Sequence, residues 1–449
     1  MVFSIIQKSQ LEGAKRIDAE YYQPEFLLLK EQLLKYGNLL PLSKVSTIKT
    51  GHAYNGEEID EKFEIPVARI GDVTNKKDIG DWYKLSTKEF DKFKNNAIGD
   101  GDILMTMTGD PPDVGKVNLI NNKDKRVLAF NQRVAKIRAN QIDNKYLFAY
   151  LNTEFSRFQA ERASLGIRQR NLGTDDLRNI LVAVSSKNQS DEINKIVDTY
   201  FYNLEKSKSL YQQAEKLLLD ELNIKEEDFD DKLTFVINLS DVKNAKRMDA
   251  DFFQPKDRAL LSKLGKTERL SSLAKRKKGV FKLVKDKMYK YTEIGDINVG
   301  SGEISFNEVA GSELPANAKN KVIGSELIVS KVRPTRGAIA VIPKNWDENH
   351  VVSGAFSVFD VESPTREYLQ IVLRSMIGKV QMERPATGTS YPTITDVDVE
   401  NILVPILPKL IQEKIAKLVR ESFESRKKAK ELLEEAKRKV EEMIEGGNN

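Results

Sequence analysis

The sequence predicts an α+β protein made of two repeated mixed α/β domains separated by a pair of long antiparallel coiled-coil helices. Three observations predict it. A phrase of eleven residues occurs twice, Ala-Lys-Arg-Ile-Asp-Ala-Glu-Tyr-Tyr-Gln-Pro from Ala14 and Ala-Lys-Arg-Met-Asp-Ala-Asp-Phe-Phe-Gln-Pro from Ala245, with only like-for-like changes. Shorter anchors follow each copy in the same order. Each copy then ends in a long segment free of Pro and Gly, Gln189 to Ile224 and Lys409 to Glu445. Internal repetition fixes the architecture before any local reading.

The 449 residues provide chain for more than one core, and 40% hydrophobic with 31% charged residues describes a globular protein with much charged surface. Lys plus Arg is 72 against Asp plus Glu at 67, so any basic footprint is local. There is no cysteine, which excludes disulfides and thiolate zinc sites, and the two histidines, His52 and His350, lie far apart in sequence. No metal site is expected. The first ten residues lack the pattern of a signal peptide, and no run of eighteen apolar residues occurs. The expectation is a cytoplasmic protein with no membrane partner.

In order along the chain, Phe3 and Ile5, matched by Phe235 and Ile237, alternate as a short strand would. Tyr22, Phe26, Leu29 and Leu33 share one helical face, with Pro24 allowed in the first turn and Gly37 at the end. The phrase's Tyr21, Tyr22, Phe252 and Phe253 read as core aromatics opening each unit's first helix. Leu42 to Gly51 matches Leu270 to Gly279, Ile70 to Val73 matches Ile294 to Ile297, and Gly101 to Leu104 matches Gly324 to Leu327. The spacing between copies shrinks from 231 residues at Ala14 to 222 at Tyr146, so copy two lost a few loop residues. Short apolar runs such as Ile103 to Met107 and Ala338 to Ile342, punctuated by Gly, Pro, Asn and Asp, predict sheet in the middle of each unit. Helical spacing returns over Asn144 to Arg162 and Arg366 to Arg384. A loop follows each, Gly166 to Asn171 and Gly388 to Thr393, and a strand closes each unit at Ile180 to Val184 and Ile402 to Ile406.

At about 1.5 Å per residue either long segment spans roughly 50 Å as one helix. Val197, Tyr200, Leu204, Ser207, Tyr211, Ala214 and Leu218 keep strict three-four spacing. Val419, Ser422, Arg426, Ala429, Leu433, Ala436 and Val440 hold the matching places, widened by Ile415, Leu418, Phe423 and Ile444. One apolar stripe on so long a helix needs a partner, and the other copy is the nearest one. The predicted helix-pair interface is Val197, Tyr200, Leu204, Tyr211 and Leu218 against Val419, Phe423, Leu433 and Val440. The acidic run Glu226 to Asp231 reads as a solvated linker.

Asp110-Pro111-Pro112-Asp113 resembles the catalytic tetrapeptide of amino-methyltransferases, but Asp113 replaces the aromatic that stacks on the flipped base and no glycine-rich turn holds a methyl donor. A turn is expected there, and no Walker lysine loop occurs. Gly71-Asp72 and Gly295-Asp296 are isolated and turn-like, which argues against metal carboxylates. No catalytic residue is expected. Basic and polar side chains in loops are the stronger signal, because Lys and Arg contact phosphates while Arg, Gln and Asn read base edges. Copy one offers Arg168, Gln169, Arg170 and Asn171. Copy two offers Lys275, Arg276, Lys277 and Lys278, then Lys331, Arg333 and Arg336, and in its loop Thr389, Ser390 and Tyr391. Each of these alone reads equally as solvated surface, and the clusters carry the argument.

The whole pattern resembles the specificity subunits of type I restriction-modification systems. The most specific local match is Ile394 to Pro408, an acidic segment and a short strand ending in prolines, followed by Gln412 and Glu413 opening the helix, with Gly388-Thr389-Ser390 ahead of it. Copy one departs with Val184-Ser185-Ser186 where prolines are usual. The resemblance implies target recognition domains at 1–188 and 225–407, each followed by a conserved helix, 189–224 and 408–446. It implies that each domain reads one half of an asymmetric, bipartite site on double-stranded DNA and that the helix pair fixes the gap. It further implies docking of two methyltransferase subunits, which carry S-adenosylmethionine, with restriction subunits joining; this chain itself needs no cofactor. Three rival readings remain: a DNA methyltransferase using Asp110, a scaffold for proteins alone, and the recognition subunit of a type II system that cuts on both sides of a split site.

Overall fold

The computed structural model describes residues 4–9, 11, 16–60, 62–76, 79–110, 113–166, 169–225, 232–277 and 281–446. They form two compact units, Met1–Leu204 with Lys427–Asn449, and Glu205–Arg426. The division falls inside both long helices, whereas the sequence placed boundaries at their ends. The reason is packing: each half of each helix gives its apolar stripe to a different core.

In the first unit the central sheet is antiparallel, in the order Ser46–Thr50, Val134–Ala139, Ile103–Thr106, Val117–Leu119. All four residues of Ile103–Thr106 are buried, as expected for an interior strand covered on both faces. A second sheet runs Ile59–Asp60, Lys84–Leu85, Ile65–Ala68, Ala129–Phe130, its last pair parallel. Helices Asn144–Leu151 and Glu154–Ala163 lie where the sequence predicts one helical stretch. The break is Thr153, whose side chain caps the second helix by accepting from Ser156 N. Strand Leu181–Ala183 closes the unit against Leu39–Pro41.

The second unit repeats this plan. Its central sheet runs Lys275–Arg276, Phe356–Asp360, Leu327–Ser330, Ile339–Val341, the same order as in copy one. Its second sheet runs Asn307–Ala310, Met288–Thr292, His350–Ser353, Ala318–Lys321, and again contains one parallel pair, Met288–Thr292 with His350–Ser353. Helices Thr365–Arg374 and Met376–Glu383 are parted at Ser375, which caps the second one. Strand Leu403–Pro405 closes against Thr267–Arg269.

The long helices run Lys187–Glu221 and Lys409–Glu445. Within the first unit Val197 and Tyr200 are buried in the same core as Ala429, Leu433, Ala436 and Val440, with Leu204 packed against it. Glu192 pairs with Lys439 there. Within the second unit Ala214, Leu218, Ile415 and Val419 are buried in one core, with Tyr211, Leu418 and Phe423 against it. In each unit a residue earlier in one helix meets a residue later in the other, so the pairing is antiparallel. Each fully buried Val or Leu contributes roughly 1.5–3 kcal/mol of transfer free energy, so this stripe supplies most of what holds the helices.

Two expectations are corrected and a third falls outside the described residues. Ser4–Gln7 and Phe235–Ile237 are not strands; they lie in irregular backbone without a ladder partner, and Phe3 lies outside the described residues. Of the four phrase aromatics only Tyr22 is buried; Tyr21, Phe252 and Phe253 are half-buried, with arginines lying over the faces of Tyr21 and Phe252. The acidic run Glu226 to Asp231 lies outside the described residues. Asp72 and Asp296 act as caps, accepting from Arg69 N at 3.0 Å and Glu293 N at 2.8 Å, which explains turn-like Gly-Asp pairs without a metal. Burial raises the Asp296 carboxyl above its usual range.

Candidate nucleic-acid interface

Each unit carries a loop of the same construction between its second short helix and its closing strand. In copy one the neck is a pair of backbone hydrogen bonds, Leu165 N to Asn171 O at 3.0 Å and Asn171 N to Leu165 O at 2.8 Å. In copy two Thr387 and Thr393 make the same pair at 3.0 and 2.9 Å. The residue after each neck is a glycine at positive φ, Gly166 at 123° and Gly388 at 97°. A Cβ on Gly166 would overlap the Gln169 carbonyl oxygen, so the tight turn demands glycine.

The tips differ. Gln169 is exposed, but Arg170 folds back on the preceding helix, donating to Glu161 O at 3.3 Å and lying 3.7 Å from the Glu161 carboxylate. Asn171 accepts from Thr108 Oγ1 at 2.9 Å, and Arg170–Asn171 pairs with Thr108–Gly109 as a short ladder. Those two residues therefore build the loop, and Arg168 lies outside the described residues. In copy two Thr389, Ser390 and Tyr391 are all exposed, Tyr391 by 67%. The Arg333 guanidinium lies 4.2 Å from the Tyr391 ring centre and donates to Ser390 O at 2.9 Å, while Arg333 N donates to Pro392 O at 2.7 Å. Arg333 takes a left-handed backbone, φ 48°, uncommon for a residue with a Cβ. The loop thus presents an outward aromatic ring braced on one face by a cation.

The basic cluster of copy two is mostly spoken for within the fold. Arg276 pairs with Glu400 and, at 3.3 Å, with Asp396. Lys331 reaches Asp396 at 3.0 Å and Lys277 reaches Glu326 at 2.6 Å. The Glu400 hydrogen bond raises the Arg276 pKa, and Ser357 and Lys331 hold the Asp396 carboxyl below its usual range against the cost of burial. These residues knit the strand Lys275–Arg276 and the base of the loop to helix Asp396–Glu400. Lys275 and Arg336 are exposed, and Lys278 lies outside the described residues.

The sequence reading passed over the stretch 281–290. Its residues 282–288 are all exposed, so Lys282, Lys285 and Lys287 face outward beside Leu283, Val284 and Met288. The lysines recurring between apolar residues were the available signal. The equivalent stretch of copy one, counted back by 228 residues to 53–62, has a single lysine, Lys62. Asp113 pairs with Lys116 at 2.7 Å and donates its N–H to Asp110 O at 2.8 Å, the turn expected there; Pro111 and Pro112 lie outside the described residues. Among the described residues no group of three or more His, Cys, Asp or Glu side chains is placed to hold a metal ion, and no helix is long and apolar enough to cross a membrane.

Residues 39–216 match the family model described as the type I restriction modification DNA specificity domain. That stretch is similar to the family's domain. The match begins at strand Leu39–Pro41, takes in the whole of the copy-one sheet and loop, and ends inside the first long helix. Among solved structures the chain is similar to the S subunit of the type I restriction-modification system from M. genitalium at 14% identity, covering 91% of this chain and 94% of that one with a TM-score of 0.36. It is also similar to the HsdS subunit from Thermoanaerobacter tengcongensis at 12% identity, covering 91% and 97% with a TM-score of 0.29. A chain from a structure of type I restriction-modification complex assembly and conformational transition matches at 14% identity, covering 91% and 98% with a TM-score of 0.29. No curated protein sequence matches the chain.

Proposed function

We propose that the chain is the specificity subunit of a type I restriction-modification complex, with each unit reading one half of a bipartite site on double-stranded DNA. The observation that carries this reading is one loop scaffold presented twice with different tips: the neck and glycine are shared, while Gln169 stands in one and Thr389, Ser390 and Tyr391 in the other. A duplicated reader with diverged tips suits an asymmetric site. The specificity domain matched over residues 39–216 supports the same assignment for copy one, and the repeat extends it to copy two.

In this reading the paired helices set the gap between half-sites and dock two methyltransferase subunits, which bring S-adenosylmethionine and the chemistry; restriction subunits join that complex. The chain contributes sequence choice without a catalytic group of its own. Exposed Lys282, Lys285 and Lys287 supply phosphate contacts, so binding weakens steeply with salt. The test is a map of methylated adenines in cells with and without this gene. A split motif with a fixed gap that disappears on deletion is the expected result, and an unchanged map would overturn the proposal.

A further inference from the structure

The repeated phrase builds one device twice, and it sits against the start of each reading loop. Arg16 forks onto Asp18, Nε to Oδ1 at 2.8 Å and Nη2 to Oδ2 at 2.5 Å. Its Nη1 donates to Arg162 O at 3.2 Å and Ala163 O at 3.3 Å, carbonyls in the last turn of helix Glu154–Ala163. Its guanidinium carbon lies 4.5 Å from the Tyr21 ring centre, and that of Arg162 lies 4.0 Å from it. In copy two Arg247 forks onto Asp249 at 2.8 and 2.6 Å. It donates to Pro385 O at 3.0 Å and Ala386 O at 3.2 Å, just past helix Met376–Glu383. Phe252 lies between Arg247 and Arg384, each at 4.6 Å.

We propose that Arg16 and Arg247 are positioning residues that fix the pose of the reading loop in their own unit, and so set discrimination at one half-site each. The proposal rests on the reading of these loops as DNA readers. The chain of contacts is short. The carbonyls at a helix C-terminus and in the turn that follows it need donors, and here one guanidinium supplies them, in the last turn in copy one and just past it in copy two, while its other edge is locked by a carboxylate. The loop neck begins one to three residues after those carbonyls, at Leu165 and Thr387. Arg162, the residue whose carbonyl is held, also donates its Nε–H to Tyr21 O at 2.8 Å, which closes the clamp in copy one. The phrase is nearly identical in the copies although the loops it borders, Gly166 to Asn171 and Gly388 to Thr393, share only the glycine. A device kept constant beside tips that diverge is a mount, and it serves whichever tip it carries. Lysine cannot replace the arginine, since one ammonium cannot fork, cap and stack together.

The test uses the complex with its partner methyltransferases and reads methylation at sites carrying one mismatched base in either half. Arg16→Lys is expected to lower discrimination at the half read by unit one roughly tenfold, the low end of the value of a well-placed base contact, with the other half and the gap unchanged. Arg247→Lys is expected to do the reverse. Tyr21→Phe, which installs the ring of copy two, keeps discrimination, and Tyr21→Leu loses it. Unchanged discrimination in Arg16→Lys, or equal loss at both halves, would overturn the inference while a split wild-type motif leaves the proposed function standing. If Arg16→Lys fails to accumulate, Asp18→Asn, which weakens one edge of the fork, must shift the same half in the same direction. A wild-type complex with no split motif would instead overturn the underlying reading.

Discussion

The two loop tips differ in how much of their chemistry is committed to the fold. In copy one, Arg170 is half-buried against Glu161 and the exposed Asn171 is tied to Thr108, while Gln169 stands exposed beside them. In copy two the tip is exposed from Thr389 to Tyr391, and its support comes from outside the loop, through Arg333. A shared neck therefore tolerates two solutions: a tip whose own side chains are tied back to the fold, and a tip held by an arginine reaching in from a neighbouring turn. Divergence between the copies is concentrated in the side chains, while the backbone frame that delivers them stays fixed.

The sharpest way to break this comparison is Tyr391→Ala. An exposed ring held by a cation on one face is placed to contact a base edge or a thymine methyl in the groove, and losing a specific base contact costs about 1–3 kcal/mol. The expected outcome is a 5- to 150-fold loss of DNA affinity, on the order of RT per e-fold for that energy, confined to the half read by unit two and measured with half-site competitor duplexes. Gln169→Ala in unit one removes a single polar contact and is expected to cost less, about 1 kcal/mol. Equal effects of the two substitutions would show that the tips work alike despite their different support.

What the sequence made legible follows the same division. The repeat, the order of elements and the helix stripe were readable because periodicity is local: Val197, Ala214, Leu218, Val419, Ala436 and Val440 are all fully buried where three-four spacing puts them. The basic cluster was not, because its partners come from distant chain. Asp396 and Glu400 lie more than a hundred residues after Arg276, and only the tertiary fold turns an apparent phosphate site into an ion-pair network. The phrase was legible as a marker but not as a clamp, since the carbonyls that Arg16 holds belong to residues 162 and 163. Thr153 and Ser375, which split each expected helix in two, are ordinary cap residues whose role depended on a turn the spacing alone did not reveal.

The first helices offer a second comparison. Counted from the shared phrase, Phe26 and Asp257 occupy one position, and both are buried. Phe26 packs edge-on to Phe158 at 5.4 Å. Asp257 is pushed up to about 6, chiefly by burial, with Arg384 and Lys256 pulling it down and Glu383 adding to the rise. Because its folded value lies above the ordinary one, the favourable contribution of protonated Asp257 is fully present below about pH 4 and is lost as pH rises through about 6. Asp257→Asn is therefore expected to stabilise the chain by about 1–2 kcal/mol at pH 8, after allowing for the nearby cations, and to change little at pH 4. Urea midpoints at the two pH values measure it. A gain independent of pH would mean that ionisation of Asp257 is not its source.

The helix pair supplies the smallest effect and the most local test. In the first unit the seam is apolar, through Val197, Tyr200, Leu433 and Val440. In the second it carries a buried polar step: Ser422 Oγ donates to Ser207 O at 2.7 Å and lies 3.0 Å from Ser207 Oγ, which also accepts from Arg426 Nε at 3.3 Å. Arg426 reaches Glu303 at 3.4 Å, so this step of the seam is tied to the globular part of its own unit. A polar residue in an apolar seam fixes register at some cost in stability. Ser422→Ala removes one buried hydrogen bond and is expected to cost about 1 kcal/mol. Adding Ser207→Ala leaves Arg426 without that acceptor but also removes a hydroxyl whose proton no longer has the Ser422 oxygen to donate to, so the double variant is expected to lose less than the sum of the two single losses. A double-mutant cycle in urea reads the coupling. Strict additivity would mean that the two serines share a layer without acting as one register lock.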